Sequence, residues 1–252
     1  MLKEAFAEGK ILNIGHRGAP EAAPENTISS FKKTREMGGD GVELDVSLSK
    51  DGAIMVFHDY LLNKKTDGKG LLALKTRAEL QSLDAGSAFS DEYRGEKIPT
   101  LGDVVESLDE KAFIMVEIKT NFFGKPGIEE AVAALIKRYN LFERVVVSSF
   151  NPKSLKRIKD YDGNISVGLL HFPLIPWKGY LNHFYKKLLP DVFHPYHKSI
   201  NDDYISFAKE KGCRVITWTL KEQKDMQTVI KAGVDGVITD YPDLFRKIYG
   251  KE

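Results

Sequence analysis

Eight short apolar runs, each followed by a segment with helical signals, recur along the chain, and this alternation limits the possible folds more than any other feature. The runs lie at residues 11–14, 40–48, 113–118, 145–149, 165–170, 192–195, 214–219 and 236–239. The first helical segment is capped at Asn26-Thr27, runs to Met37 and is stopped by Gly38-Gly39. The others lie at 100–108, from Asn151-Pro152 onward, and at 128–139, 180–188, 201–211, 222–232 and 242–249. Thr and Asn satisfy free N–H groups at helix starts, and Gly permits the backbone turn that ends a helix. Strands alternating regularly with helices form a parallel sheet covered by helices. Eight such units in 252 residues predict a closed α/β barrel, the TIM (β/α)8 architecture. Reactive side chains in that architecture sit at the C-terminal ends of strands.

Bulk properties exclude several classes. A formal net charge of +1 provides no strong field for nucleic acid or an anionic membrane. Cys213 is the one cysteine, so no internal disulfide forms and an oxidising compartment is not implied; inert packing at a strand start is expected. Residues 1–10 carry Lys3, Glu4, Glu8 and Lys10 and lack the apolar centre of a signal peptide. No apolar run is long enough to span a bilayer, so a cytoplasmic protein without an integral membrane segment is expected.

The stretch from Gly15 to Asp59 concentrates reactive side chains. His16 and Arg17 end the first run. Val42, Leu44, Val46 and Leu48 then alternate with Glu43, Asp45, Ser47 and Ser49, a period of two that sets Glu43 and Asp45 on one strand face. Charged strand residues usually face solvent, but His16 and Arg17 at the neighbouring strand end argue for a site. Asp51-Gly52 marks a hairpin turn. With those two as the loop, Lys50 pairs with Ala53 and Asp45 lies opposite His58; a three-residue turn with a bulge at Gly52 shifts the register by one. Residues 59–100 then break the alternation with Thr66-Asp67-Gly68-Lys69-Gly70, a short helix near 76–83, Gly86, Gly95 and Pro99, and read as an insertion after strand 2.

These segments resemble the glycerophosphodiester phosphodiesterase family. The motifs are H-R-G at His16 with P-E-N-T at 24–27, G-x-E-x-D-V from Gly41, and D-G-x-x-x-V-x-H-D from Asp51. L-D-A-G at 83–86, I-P-T-L at 98–101, E-I-K-T at 117–120 and W-T at 218–219 agree, so the likeness covers nearly the whole chain. It implies one TIM-barrel domain whose insertion covers the barrel top. It also implies metal-dependent hydrolysis of a small-molecule glycerophosphodiester to an alcohol and sn-glycerol 3-phosphate. The alternative is a lysophospholipase D acting on lysophospholipids. Where relatives often carry Arg-Thr, this chain has Lys65-Thr66, and no role is assigned there.

Residue chemistry runs beside that resemblance. His16, Glu43, Asp45, Glu117, Lys119 and Trp218 all fall at expected strand ends, and the hairpin returns His58 to them. Three carboxylates brought together repel unless a cation or a proton intervenes. Oxygen ligands suit one hard divalent cation, Mg2+ or Ca2+, rather than zinc. The resemblance makes Glu43, Asp45 and Glu117 its ligands and His16 and His58 an acid/base pair. Arg17 and Lys119 offer a planar fork and a point charge to phosphate oxygens. Trp218 is core or, as the resemblance implies, a substrate-pocket wall. His194, which ends a strand in F-H-P-Y, is a rim candidate; His171, His183 and His197 read as surface or packing residues. The apolar stretches at 121–123 and 171–177 either receive a greasy group or cover the rim.

Overall fold

The structure, a computed structural model, describes Phe6 and residues 9–119, 127–172 and 177–250. All eight expected strands form, with one more in the hairpin. In chain order they are β1 (Leu12–His16), β2 (Gly41–Leu48), the short β3 (Ile54–Val56), β4 (Phe113–Ile118), β5 (Val145–Ser149), β6 (Ser166–His171), β7 (Val192–Pro195), β8 (Arg214–Leu220) and β9 (Gly236–Thr239). Apart from β3, which runs antiparallel on β2, they pair in parallel, and β1 bonds both β9 and β2, which closes the barrel.

Helices cross between the strands: α1 (Ile28–Glu36), then α3 (Leu101–Ser107) after the insertion helix α2 (Arg77–Ser82), α4 (Ile128–Arg138), α5 (Pro152–Tyr161), α6 (Trp177–Leu188), α7 (Asp202–Glu210), α8 (Gln223–Ala232) and α9 (Pro242–Tyr249). Their starts follow the capping chemistry. Thr27 Oγ1 accepts from Ser30 N, Thr100 and Asp103 bond each other's backbone reciprocally, and Asn151 accepts from Lys153 N ahead of Pro152. Among the described residues no helix is long and apolar enough to cross a membrane.

The hairpin settles the two registers. Val46 faces Val56 and Leu48 faces Ile54, and Phe57 N donates to Asp45 O at 2.9 Å, so Asp45 lies opposite Phe57 and not His58. The two-residue turn is therefore replaced by the three-residue one. Gly52 takes φ +85°, a conformation that suits glycine, and Ser49 Oγ bonds both Asp51 and Ala53 across the turn.

The barrel interior divides into two halves. Leu12, Ile14, Phe113, Met115, Val146, Val192, Ile216 and Ile238 fill its lower part, and Phe6 closes it edge-on to Phe113 at 5.9 Å. Charged side chains take the upper part. Outside, a larger core joins the barrel to its helices; Cys213 is buried there just before β8, its thiol pushed up to about 12 by burial, so it is inert. The insertion has its own core of Met55, Phe57, Leu62, Leu72, Leu80, Ala85 and Ile98. Removing one of its fully buried leucines would cost roughly 2–5 kcal/mol. It is latched to the barrel top by Ser29 Oγ on Glu96 at 2.5 Å, Tyr93 OH on Ala22 O at 2.9 Å and Lys65 on Glu25 at 2.9 Å. Its L-D-A-G segment folds around the Asp84 carboxylate, which accepts from Gly86 N, Ser87 N and Oγ, and Gly95 N.

Candidate active site

Strand ends assemble the site. β1 delivers His16 opposite Glu43 of β2, and Asp45 lies opposite Glu117 of β4. The chain then turns sharply through Arg17 at φ +54° and Gly18 at φ +92°. A side chain at Gly18 would collide with Ser30 of α1, so the turn is tight by necessity. It aims Arg17 N at Glu43 Oε2, 3.0 Å away.

Far from facing solvent, Glu43 is 4% and Asp45 1% exposed. Asn26 holds Asp45 twice, Nδ2 donating to Oδ2 at 3.0 Å and Oδ1 accepting from the Asp45 amide at 3.3 Å. Lys119 Nζ stands 3.0 Å from Asp45 Oδ1 and 2.8 Å from Glu117 Oε1. Arg17 Nη1 bonds Glu25 at 3.0 Å, and its Nε lies 3.3 Å from Asp45 Oδ2 as a charge contact without hydrogen-bond geometry. Glu43, Asp45 and Glu117 offer oxygens within 4.8 Å of one another, a set that could hold a metal ion. Burial, then Asp45 and Glu117, push the Glu43 carboxyl well above its ordinary value. Asp45 is buried too, but Lys119 and Arg17 hold it below the usual carboxylate range.

Both histidines turn Nδ1 onto a carboxylate: His16 to Asp240 Oδ1 at 2.6 Å and His58 to Asp59 Oδ1 at 2.8 Å. Burial lowers the pKa of His58; Asp45 opposes this, while Lys119 and Arg17 add to it. A cavity of about 230 Å³ joins His16, Arg17, Glu43, His58, Glu117 and Lys119 to an aromatic wall. That wall is Trp218 with Phe150 and Phe172, ring centroids 5.2–5.6 Å apart. The β8–β9 ladder slips between Thr217 and Leu220, and Trp218 lies in the irregular step, its Nε1 donating to His194 O at 2.8 Å.

All the expected site residues thus meet at one cavity, except that Asp45 reaches it from behind Arg17 and Lys119. His194 does not line the rim. It is fully buried, with Nδ1 on the Ile216 carbonyl at 3.0 Å and its ring over Gly168, and burial pulls its pKa down to about 4. His171 and His197 pack inside as expected, His171 against Tyr204 OH at 2.7 Å. Of the two apolar stretches, residues 121–123 and 173–176 lie outside the described residues, while Phe172 belongs to the wall. Sequence reasoning missed Asp240, Glu25, Phe150 and the second task of Asn26. Asp240 directly follows an expected strand and carried that signal; Phe150 follows β5 in the same way.

A (β/α)8 barrel that gathers carboxylates, histidines and two cationic side chains at its strand ends has the build of a phosphoric diester hydrolase. Residues 16–244 match the profile of the Glycerophosphoryl diester phosphodiesterase family, and the chain belongs to that family. It is 41% identical over 237 residues to a glycerophosphodiester phosphodiesterase of Caldanaerobacter subterraneus subsp. tengcongensis, spanning 93% of this chain and 96% of that one. A solved Oleispira antarctica phosphodiesterase in complex with its product sn-glycerol-3-phosphate superposes with a TM-score of 0.81 at 30% identity, over 94% of this chain and 96% of that one. A glycerophosphodiester phosphodiesterase from Thermotoga maritima gives 0.76 at 28% identity, over 96% and 100%.

Proposed function

We propose that the protein hydrolyses glycerophosphodiesters to an alcohol and sn-glycerol 3-phosphate, using one divalent cation, Mg2+ or Ca2+, held by Glu43, Asp45 and Glu117. The observation that carries this reading is the convergence of those carboxylates within 4.8 Å, with Glu43 and Glu117 lining one cavity together with His16 and His58. The donor set fits such a cation: it is all oxygen, two of its members are buried, and burial and neighbouring carboxylates raise Glu43 and Glu117, a strain that a cation among them would relieve. A cation held there would polarise a phosphoryl oxygen and acidify a neighbouring hydroxyl.

The chain's own residues do the rest. Arg17 and Lys119 set two positive charges, held by Glu25, Asp45 and Glu117, beside the phosphate. One of His16 and His58 takes the proton of the nucleophile, and the other gives a proton to the departing alkoxide. The internal hydroxyl at glycerol carbon 2 is the nucleophile in this reading: it attacks phosphorus, expels the alcohol and leaves a cyclic phosphate that water opens. Trp218, Phe150 and Phe172 face the organic part of the substrate.

A second reading, a lysophospholipase D, draws on the same wall, because Phe150 and Phe172 are 39% and 55% exposed and could receive an acyl chain. Turnover of glycerophosphocholine and lysophosphatidylcholine, each with Mg2+, Ca2+ or Mn2+ and after EDTA, tests both. Cation-dependent release of sn-glycerol 3-phosphate from the first is expected. Full activity after exhaustive chelation would remove the metal reading, and preference for the acylated substrate would favour the second.

A further inference from the structure

We propose that Asp240 is a positioning residue for His16, locking the ring with Nδ1–H on its carboxylate and Nε2 left for the cavity, and that Lys221 locks Asp240 in turn. This deepens the reading of His16 as a proton-transfer group and rests on it.

Three successive strand ends build the chain of contacts. β8 ends at Leu220, which lies opposite Thr239 at the end of β9, and Thr239 lies opposite Gly15 near the end of β1. Lys221, Asp240 and His16 are therefore delivered in a row. Lys221 Nζ is 2.6 Å from Asp240 Oδ2, and Asp240 Oδ1 is 2.6 Å from His16 Nδ1. Each carboxylate oxygen is engaged on a different side, so the group cannot rotate without breaking a short charge-assisted contact.

The carboxylate is itself 3% exposed. Burial alone would favour its protonated form, but the hydrogen bonds from His16 and Lys221 outweigh that and keep it ionised. An ionised oxygen at 2.6 Å can only accept, so Nδ1 must carry the proton. In neutral His16 the lone pair then falls on Nε2, the ring nitrogen not engaged by Asp240, and when Nε2 takes a proton the resulting imidazolium already faces its counter-charge. The opposite tautomer would set two lone pairs against each other. His58 has a looser arrangement: its partner Asp59 is its sequence neighbour, and both side chains are about 30% exposed.

Two measurements on the cation-loaded enzyme test this. The first is a cycle of Asp240→Asn with His16→Ala. Asp240→Asn should lower kcat at least about 10-fold, within the roughly 10²–10⁴-fold that a placed acid or base contributes, with KM little changed. On the His16→Ala background the same change should cost less than about 2-fold, because there is no ring left to position. Equal losses on both backgrounds, or full activity of Asp240→Asn, would overturn the proposal. The second is the nitrogen NMR spectrum of the histidine rings, which needs neither turnover nor a variant. His16 should show the Nδ1–H form in the unaltered protein, and finding the proton on Nε2 overturns the proposal even if every variant misfolds. Lys221→Met should loosen the same signature with a smaller kcat loss. A fully active His16→Ala would instead strike the catalytic reading of His16, an outcome distinct from a wrong tautomer.

Discussion

Lys119 and Asp45 form a buried ion pair, Nζ to Oδ1 at 3.0 Å, in the middle of the acidic cluster. The lysine also touches Glu117 at 2.8 Å, so it is paired with two of the three proposed cation ligands. A cation held by those ligands would be a like charge close to the lysine, a repulsion of several kcal/mol at an intermediate dielectric. Lys119→Met should therefore bind Mg2+ or Ca2+ more tightly, by about 10-fold in calorimetry after allowance for relaxation. It should also lose at least about 10-fold in kcat/KM, because the phosphate loses a positive partner. Weaker cation binding in this variant would show that the lysine supports the cation site instead of competing with it.

The two histidines should act as a unit. His16→Ala and His58→Ala are each expected to lose about 100-fold or more in kcat. The double variant should be little worse than the worse single one, since a proton removed from the nucleophile is useful only if the leaving group receives another. Losses that multiply in the full cycle would show two independent roles.

Stability should depend on pH in a way the cation removes. Burial, then Asp45, Glu117 and their mutual repulsion, raise Glu43 in the cation-free protein, and Glu117 is raised by burial and Asp45. A raised carboxyl stabilises the fold fully below its unfolded value of about 4.3, and that contribution is lost as pH rises through the folded value. Asp45 runs the other way: held low against burial by Lys119 and Arg17, it stays ionised above about pH 5 and adds no slope there. Buried His171 and His194, both held at about 4, add stability as pH rises with or without the cation, so the readout is the difference: the Tm gain on adding Mg2+ or Ca2+ should grow as pH rises through the raised folded values of Glu43 and Glu117. A cation-induced gain that shrinks with rising pH would contradict this account of the carboxylates.

The nucleophile can be tested on the substrate. An internal hydroxyl held in line is worth on the order of 7–11 kcal/mol at best over a free one. A diester whose glycerol lacks the 2-hydroxyl should bind comparably and be cleaved far more slowly. Cleavage of that analogue at the normal rate would make water the direct nucleophile.

The sequence alone determined the barrel and its contents to a large degree. Period-two alternation around Glu43 and Asp45, threonine and asparagine caps, and paired glycines are local signals, and they placed every barrel strand and helix within a few residues. Strand-end position, with the hairpin return for His58, then picked out His16, Arg17, Glu43, Asp45, His58, Glu117, Lys119 and Trp218, which do share one cavity or its supporting shell. Partnership between strand ends was decided by the tertiary structure. The hairpin register depended on Ser49 bridging the turn, a contact that no periodicity reports. His194 looks like a rim residue from its place near a strand end, yet the stagger of closed strands sets its ring inside over Gly168. Asp240 and His16 are 224 positions apart and meet only because β9 closes onto β1. Closure and stagger arise from hydrogen bonds between distant segments, and short-range sequence patterns carry no record of them.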